Sequence, residues 1–164
     1  MSVGSMDELF VDELKDLYSA EKQITRALPK LAKAATSEEL RKALLSHLEE
    51  TNGQVQRLEK AFEILGKSPR GKTCVGMKGV LEEGSEVLED TEKGEVRDAG
   101  LISAAQRVEH YEMAGYGSAR EFAKLLGQDE IAELLEETLE EEKAADKKLT
   151  SISQQVNEAA KSAA

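Results

Sequence analysis

The chain has 164 residues and a formal charge of −11, with 33 acidic against 22 basic side chains. That balance excludes nucleic acid as a main partner, because phosphate binding wants clustered Lys and Arg. No apolar run reaches membrane-spanning length, so no membrane partner is expected either. Two prolines, no tryptophan and an abundance of Ala, Glu, Lys and Leu speak for long helices rather than a sheet. Cys74 has no second cysteine to pair with and suits a reducing compartment. The opening MSVGSMDELF carries no signal-peptide core. The expectation is one all-α domain over residues 1–164, in the cytoplasm.

The first helix is predicted over about Asp7 to Ala35. Its apolar stripe runs Phe10, Leu14, Leu17, Ile24, Leu28, Leu31, with Glu21 as the single interruption. Pro29 lies inside it and predicts a kink or local break. Thr36-Ser37-Glu38-Glu39 reads as a capping box with Thr36 as N-cap, opening a second helix over about 37–65. Its stripe is Leu44, His47, Leu48, Thr51, Gln54, Val55, Leu58, Phe62 and Leu65. At about 100° per residue, Glu50 falls roughly 60° from His47 and borders that stripe. Gly66 reads as its C-cap.

Between 67 and 94 the periodicity weakens. KSPRGKT is a loop, and residues 76–90 form a short amphipathic helix through Met77, Val80, Leu81, Val87 and Leu88. A connection this long permits a crossover between two helix pairs, and its apolar residues either dock on the bundle or form a dimer contact. A third long helix spans about 95–126 and ends at Gly127. Stepped by threes and fours from Asp98, it meets Ile102, Ala105, Glu109, Glu112, Tyr116, Ala119, Ala123 and Leu126. The fourth covers about 128–156, with Glu142 among Ile131, Leu135, Thr138, Ala145, Leu149, Ile152 and Val156. The tail, 157–164, is predicted to fray.

Each long helix thus carries an acid near its middle, on or beside its apolar stripe. One ionised carboxylate in a bundle costs several kcal/mol, out of the roughly 5–15 kcal/mol that hold a domain together. At 1.5 Å per residue these acids fall within about one turn of a common level, and divalent metals satisfy several carboxylates at once. The candidate metal ligands are Glu21, Glu50, Glu109, Glu112 and Glu142, with His47, Gln54 and Asp146 as weaker candidates. Expected of His47 is either metal ligation or donation to a neighbouring carboxylate. Asp146 either completes the fourth helix's ligands or pairs with Lys147 or another exposed charge. His110 points about 100° from Glu109 toward the surface. For Tyr116 and Tyr18 core packing is favoured over a role beside the acids. Cys74 is expected to be inert. No P-loop, dinucleotide fingerprint, nucleophile elbow or zinc-finger spacing is present.

The segments YSAEKQITRALPKLAKAA, HLEETNGQVQRLEKAFE, VEHYEMAGYG and ETLEEEKAADKKL together resemble the YciF-like family of ferritin-like stress proteins. The likeness spans the chain from the first long helix to the fourth. It implies a ferritin-like four-helix bundle, a homodimer and a rubrerythrin-like di-metal site. VEHYE is similar to the third-helix segment of rubrerythrin, whose two glutamates bind metal and match Glu109 and Glu112; Glu21 matches the first-helix ligand. The expected function is di-iron binding in stress, with manganese or zinc as alternative ions and Fe(II) oxidation by O₂ or peroxide as the chemistry. An unidentified redox partner would accompany turnover. The Glu-x-x-His tetrads of di-iron bundles are absent, which favours binding over catalysis. The alternative is a structural or interaction bundle with a relic acid cluster.

Overall fold

The computed structural model describes residues 3–163. Five helices follow in order: α1 Met6–Ala34, α2 Glu38–Leu65, α3 Val75–Asp90, α4 Glu95–Leu125 and α5 Asp129–Ser162, with no strand among the described residues. The four long helices form a bundle and α3 lies in the crossover connection. Among the described residues no helix is long and apolar enough to cross a membrane.

Local sequence sets the helix ends. The Ser5 hydroxyl accepts the Glu8 N–H at 3.2 Å, and Asp7 and Glu8 place negative charge on the first turn of α1. Gly66, at φ 61°, and Gly127, at φ 69°, turn the chain out of α2 and α4 in the left-handed region that side chains resist.

Three local expectations are corrected. Of the kink or break expected at Pro29, the break is absent, and α1 runs through the proline. It stands on the exposed face, where the Thr25 carbonyl it leaves free can meet water, while Leu28 and Leu31 anchor both sides in the core. The N-cap of α2 is Ser37, whose hydroxyl accepts the Leu40 N–H at 3.3 Å, and not Thr36. Asp98 of α4 takes the amides of Thr36 and Ser37 instead, at 2.8 and 2.7 Å. Residues 157–162 continue α5, because Val156 remains buried and holds the last turns close to the bundle.

Side-chain pairs fix the topology. Tyr111 meets Asp16 and Asp98 meets the α1–α2 turn, so α4 runs antiparallel to α1. Arg57 meets Glu137 and Glu141, and Lys60 meets Glu130, so α5 runs antiparallel to α2. Helices α2 and α4 therefore share a direction across the bundle's diagonal. The chain must return along the bundle between them, and the 16 residues of α3 span about 24 Å of that return. α3 docks on the bundle through Met77, Val80, Leu81 and Leu88. Its seat depends on a glycine: a Cβ at Gly100 of α4 would lie 2.6 Å from Val87.

The core is two apolar lobes rather than one. The first gathers Ile24, Leu28, Leu31, Leu40, Leu44, Leu101, Ile102, Leu149 and Ile152. The second gathers Phe10, Leu14, Leu17, Leu58, Phe62, Tyr116, Ile131 and Leu135. Between them lies a buried polar layer of Glu21, His47, Thr51, Gln54, Glu109, Glu112, Thr138 and Glu142.

Asp98, 2 % exposed, is the joint between α4 and the α1–α2 turn. Asp98→Ala strands two amides that it now satisfies, and should lower stability by about 2–4 kcal/mol. Urea unfolding followed by circular dichroism measures this; a loss under about 0.5 kcal/mol would match an ordinary surface substitution and contradict the assignment.

Candidate metal centre

The polar layer draws side chains from every long helix, and its groups able to ligate or to orient a ligand are six. Glu21 comes from α1, His47 and Gln54 from α2, Glu109 and Glu112 from α4, and Glu142 from α5. One ligand atom from each of His47, Glu109, Glu112 and Glu142 can be chosen so that all lie within 4.8 Å of one another. Glu21 borders this group. Its Oε1 accepts the Tyr116 hydroxyl, and Glu112 and Glu142 lie close enough to act on its ionisation.

The geometry separates His47 from Glu50. His47 Nε2 faces inward, 3.2 Å from Glu109 Oε1 and 3.8 Å from Glu142 Oε2. Its Nδ1 stands 3.3 Å from Glu50 Oε2 on the outer side. Glu50 is exposed and lies outside the buried group. A carboxylate on the outer nitrogen fixes the imidazole tautomer and leaves the inner nitrogen's lone pair directed at the layer. Asp146 is likewise outside: its Oδ1 meets His110 Nε2 at 3.2 Å and the Gln106 amide at 3.3 Å. His110 is on the surface, as its helical position predicts.

Three participants were not singled out as site residues by the spacing argument. Tyr116 is fully buried against Glu21; its place one turn beyond Glu112 on the stripe was the available signal. Arg57 and Glu141 form an outer clamp. Arg57 donates to both Glu141 oxygens at 2.6 and 2.8 Å and to Glu137 at 2.7 Å. Glu141 accepts the Gln54 amide at 3.0 Å, and the same amide donates to Glu142 Oε1. Burial works against the ionised Glu141, yet Arg57 and Gln54 hold its carboxyl below the usual range. No sequence rule joins Arg57 to Glu141, 84 residues apart. Tyr18 donates to Glu59 at 3.1 Å and packs edge-on against Phe62.

Seven buried side-chain atoms of the layer have no hydrogen-bond partner: Glu21 Oε2, His47 Nε2, Gln54 Oε1, Glu109 Oε2, both Glu112 oxygens and Glu142 Oε2. Six are carboxylate oxygens or an imidazole nitrogen, the donors that divalent metals take. Orphaned buried polar atoms cost about 1–3 kcal/mol each, so these atoms call for protons shared between the acids or for a cation. The donor set fits a metal centre.

Comparison with known proteins places the fold among relatives. The chain matches the family described as "Domain of unknown function (DUF892)" over residues 5–161. Protein YciF of Escherichia coli (strain K12) is 53% identical over 154 residues, covering 93% of this chain and 92% of that protein. The crystal structure of the E. coli stress protein YciF matches with a TM-score of 0.92 and 49% identity, over 95% of this chain and 99% of that one. YcfI of Rhodopseudomonas palustris matches at TM-score 0.88 and 42% identity, over 91% and 95% of the two chains. A Xanthomonas campestris protein, 21% identical with a TM-score of 0.74, shares the fold.

The layer has a definite pH signature. Burial, then the Glu142 charge, push the Glu21 carboxyl up to about 8 against the opposing Tyr116 hydrogen bond. Burial and the neighbouring acids raise Glu109 and Glu112 well above the carboxylate range. Burial alone would lower His47, but the Glu50 hydrogen bond and the Glu142 and Glu21 charges outweigh it and raise it. Every shift is upward, so the folded state holds protons that the unfolded state has released. That stability is complete below the unfolded carboxyl pKa and is lost as pH rises through the folded values. Chelator-treated protein should therefore melt several degrees lower at pH 8 than at pH 5; a flat or rising profile would contradict burial of these acids.

Proposed function

The chain belongs to the DUF892 family, and we propose that it is a non-haem dinuclear metal protein of the stress response, with iron as its ion. The observation that carries this reading is the cluster of unpartnered ligand atoms from all four bundle helices. Charge argues for two ions. Glu21, Glu109, Glu112 and Glu142, when ionised, bring four negative charges into a layer whose only basic side chain is His47; two divalent cations neutralise them. A carboxylate-rich set with one imidazole suits iron or manganese better than zinc. The stress assignment rests on the E. coli relative, which is described as a stress protein.

His47, Glu109, Glu112 and Glu142 would hold the metal, with Glu21 on the Tyr116 side. Iron bound there supplies Fe(II) oxidation by O₂ or peroxide, and carboxylate ligation favours the ferric state. The remaining residues orient. Gln54 aims Glu142 through one oxygen and leaves the other free. Glu50 directs His47 inward. Tyr116 holds one oxygen of Glu21 and frees its partner. The apolar lobes on either side keep bulk water away. A cytoplasmic setting completes the proposal, since the single thiol is buried and suits a reducing compartment; the homodimer rests on the family resemblance alone.

Glu50 is exposed and meets only the outer nitrogen of His47, and Asp146 is partly exposed and meets the surface His110, so we assign them no ligand role. A second reading, a structural bundle whose acids share protons and water, has one observation in its favour: the R. palustris relative is described as a candidate structural protein.

The two readings differ in measurable ways. Protein loaded with Fe(II) and desalted should retain about two equivalents per chain, and chelation should lower its melting temperature by linkage. Glu112→Gln should abolish that retention yet raise the melting temperature of the metal-free form, because the buried acid must hold a proton at neutral pH to stay folded and the amide need not. Retention below about a tenth of an equivalent, with no chelator effect, would leave the structural reading standing.

A further inference from the structure

A guanidinium stands beside the layer of buried acids. Arg57 of α2 donates to both oxygens of Glu141 at 2.6 and 2.8 Å, to Glu137 Oε1 at 2.7 Å and to the Thr138 hydroxyl at 3.1 Å. These three partners share one side of α5, and the planar fork of arginine matches the carboxylate it grips.

The grip is passed inward. Gln54 lies three residues before Arg57 and shares its side of α2. Its Nε2 donates to Glu141 Oε2 at 3.0 Å and to Glu142 Oε1. An amide nitrogen carries two hydrogens, and here each one has a carboxylate. Both neighbours are acceptors, so only the nitrogen can face them and the amide cannot flip. Glu141 and Glu142 are consecutive on α5 and stand about 100° apart around it. One therefore meets the outer guanidinium, while the other is buried among the ligand atoms of the layer. A single hydrogen bond would let the amide turn about that bond, whereas two fix its plane. Glu141 supplies the second. Burial works against an ionised carboxyl at that place, and Arg57 is the first of the contacts that keep it there.

Charge alone would give Arg57 the opposite effect. A fixed positive charge beside a site for divalent cations repels them, so its removal would tighten their binding. We propose that Arg57 is a positioning residue of the metal centre: through Glu141 and Gln54 it fixes Glu142, and the gain in ligand placement outweighs its repulsion of the ion. This inference rests on the layer being a metal centre.

Titration of chelator-treated protein with Co(II), followed by the visible absorption that reports its ligand geometry, tests the relay. Arg57→Ala should weaken Co(II) binding by about tenfold or more and alter the spectrum; unchanged or tighter binding would overturn the proposal. Glu141→Gln keeps the side chain's shape and should weaken binding by a similar factor, which serves where Arg57→Ala does not fold; unchanged binding there would overturn the proposal equally. The two changes together should cost no more than the more harmful one alone, because both break one relay. Additive losses would overturn it. Lys60→Ala removes a different tie between α2 and α5, the exposed pair with Glu130 at 3.0 Å, and should leave Co(II) affinity unchanged. An equal loss there would assign the effect to the helix seam in general and overturn the relay. Failure of the unsubstituted protein to bind Co(II) would overturn the metal reading and this inference with it, whereas bound Co(II) indifferent to Arg57→Ala would overturn this inference alone.

Discussion

Everything in this molecule is arranged around like charge held at close range in a dry interior. Three glutamates and a histidine present ligand atoms within 4.8 Å, with a fourth glutamate beside them. In water such a group would spread apart. Here each carboxylate is anchored to a different helix, or to a different turn of one, and the packing of two apolar lobes presses those helices together. The hydrophobic effect, at about 25 cal/mol per Å² of buried apolar surface, supplies the closing force. The acids oppose it, and neutralisation by protons or cations decides how strongly.

Around the layer, side chains outside it set directions. Arg57 grips Glu141, Glu141 accepts Gln54, and Gln54 reaches Glu142. Elsewhere around the layer Glu50 fixes His47 and Tyr116 fixes Glu21. In each case one polar atom of an inner residue is occupied, and another remains free and pointed inward. A bundle stabilised only by burial would show no such division of labour. This network is the structural argument that the layer is built to hold something.

Much of this was readable from the chain alone, and what escaped did so for physical reasons. Glu21, Glu109, Glu112 and Glu142 interrupt clean apolar stripes, so helical periodicity places each of them inside, and the coordinates bury all four. His47 and Glu50 are three residues apart, and a 100° wheel puts both near one boundary. Which of them turns inward depends on the pose of α2 against α4 and α5, which one helix cannot specify. Asp98 was visible as a stripe position, but its use as a clamp on Thr36 and Ser37 joins segments 61 and 62 residues apart. Pro29 does not break its helix because the face it occupies is exposed, which the sequence around it does not state. Helix ends at Gly66 and Gly127 were legible because only a left-handed residue serves there.

The division of the interior into two greasy compartments has a consequence for how the chain comes apart. Long helical bundles ordinarily unravel from their tips, where the last turns have few neighbours. In this one the least cohesive slice sits at mid-length, between compartments that are each well knit. When its acids lack counter-ions, strain concentrates at the waist, and the two ends of the barrel become semi-independent tiers joined by four continuous rods. An ion at that waist would act as a rivet, converting a hinged stack into a single stiff body.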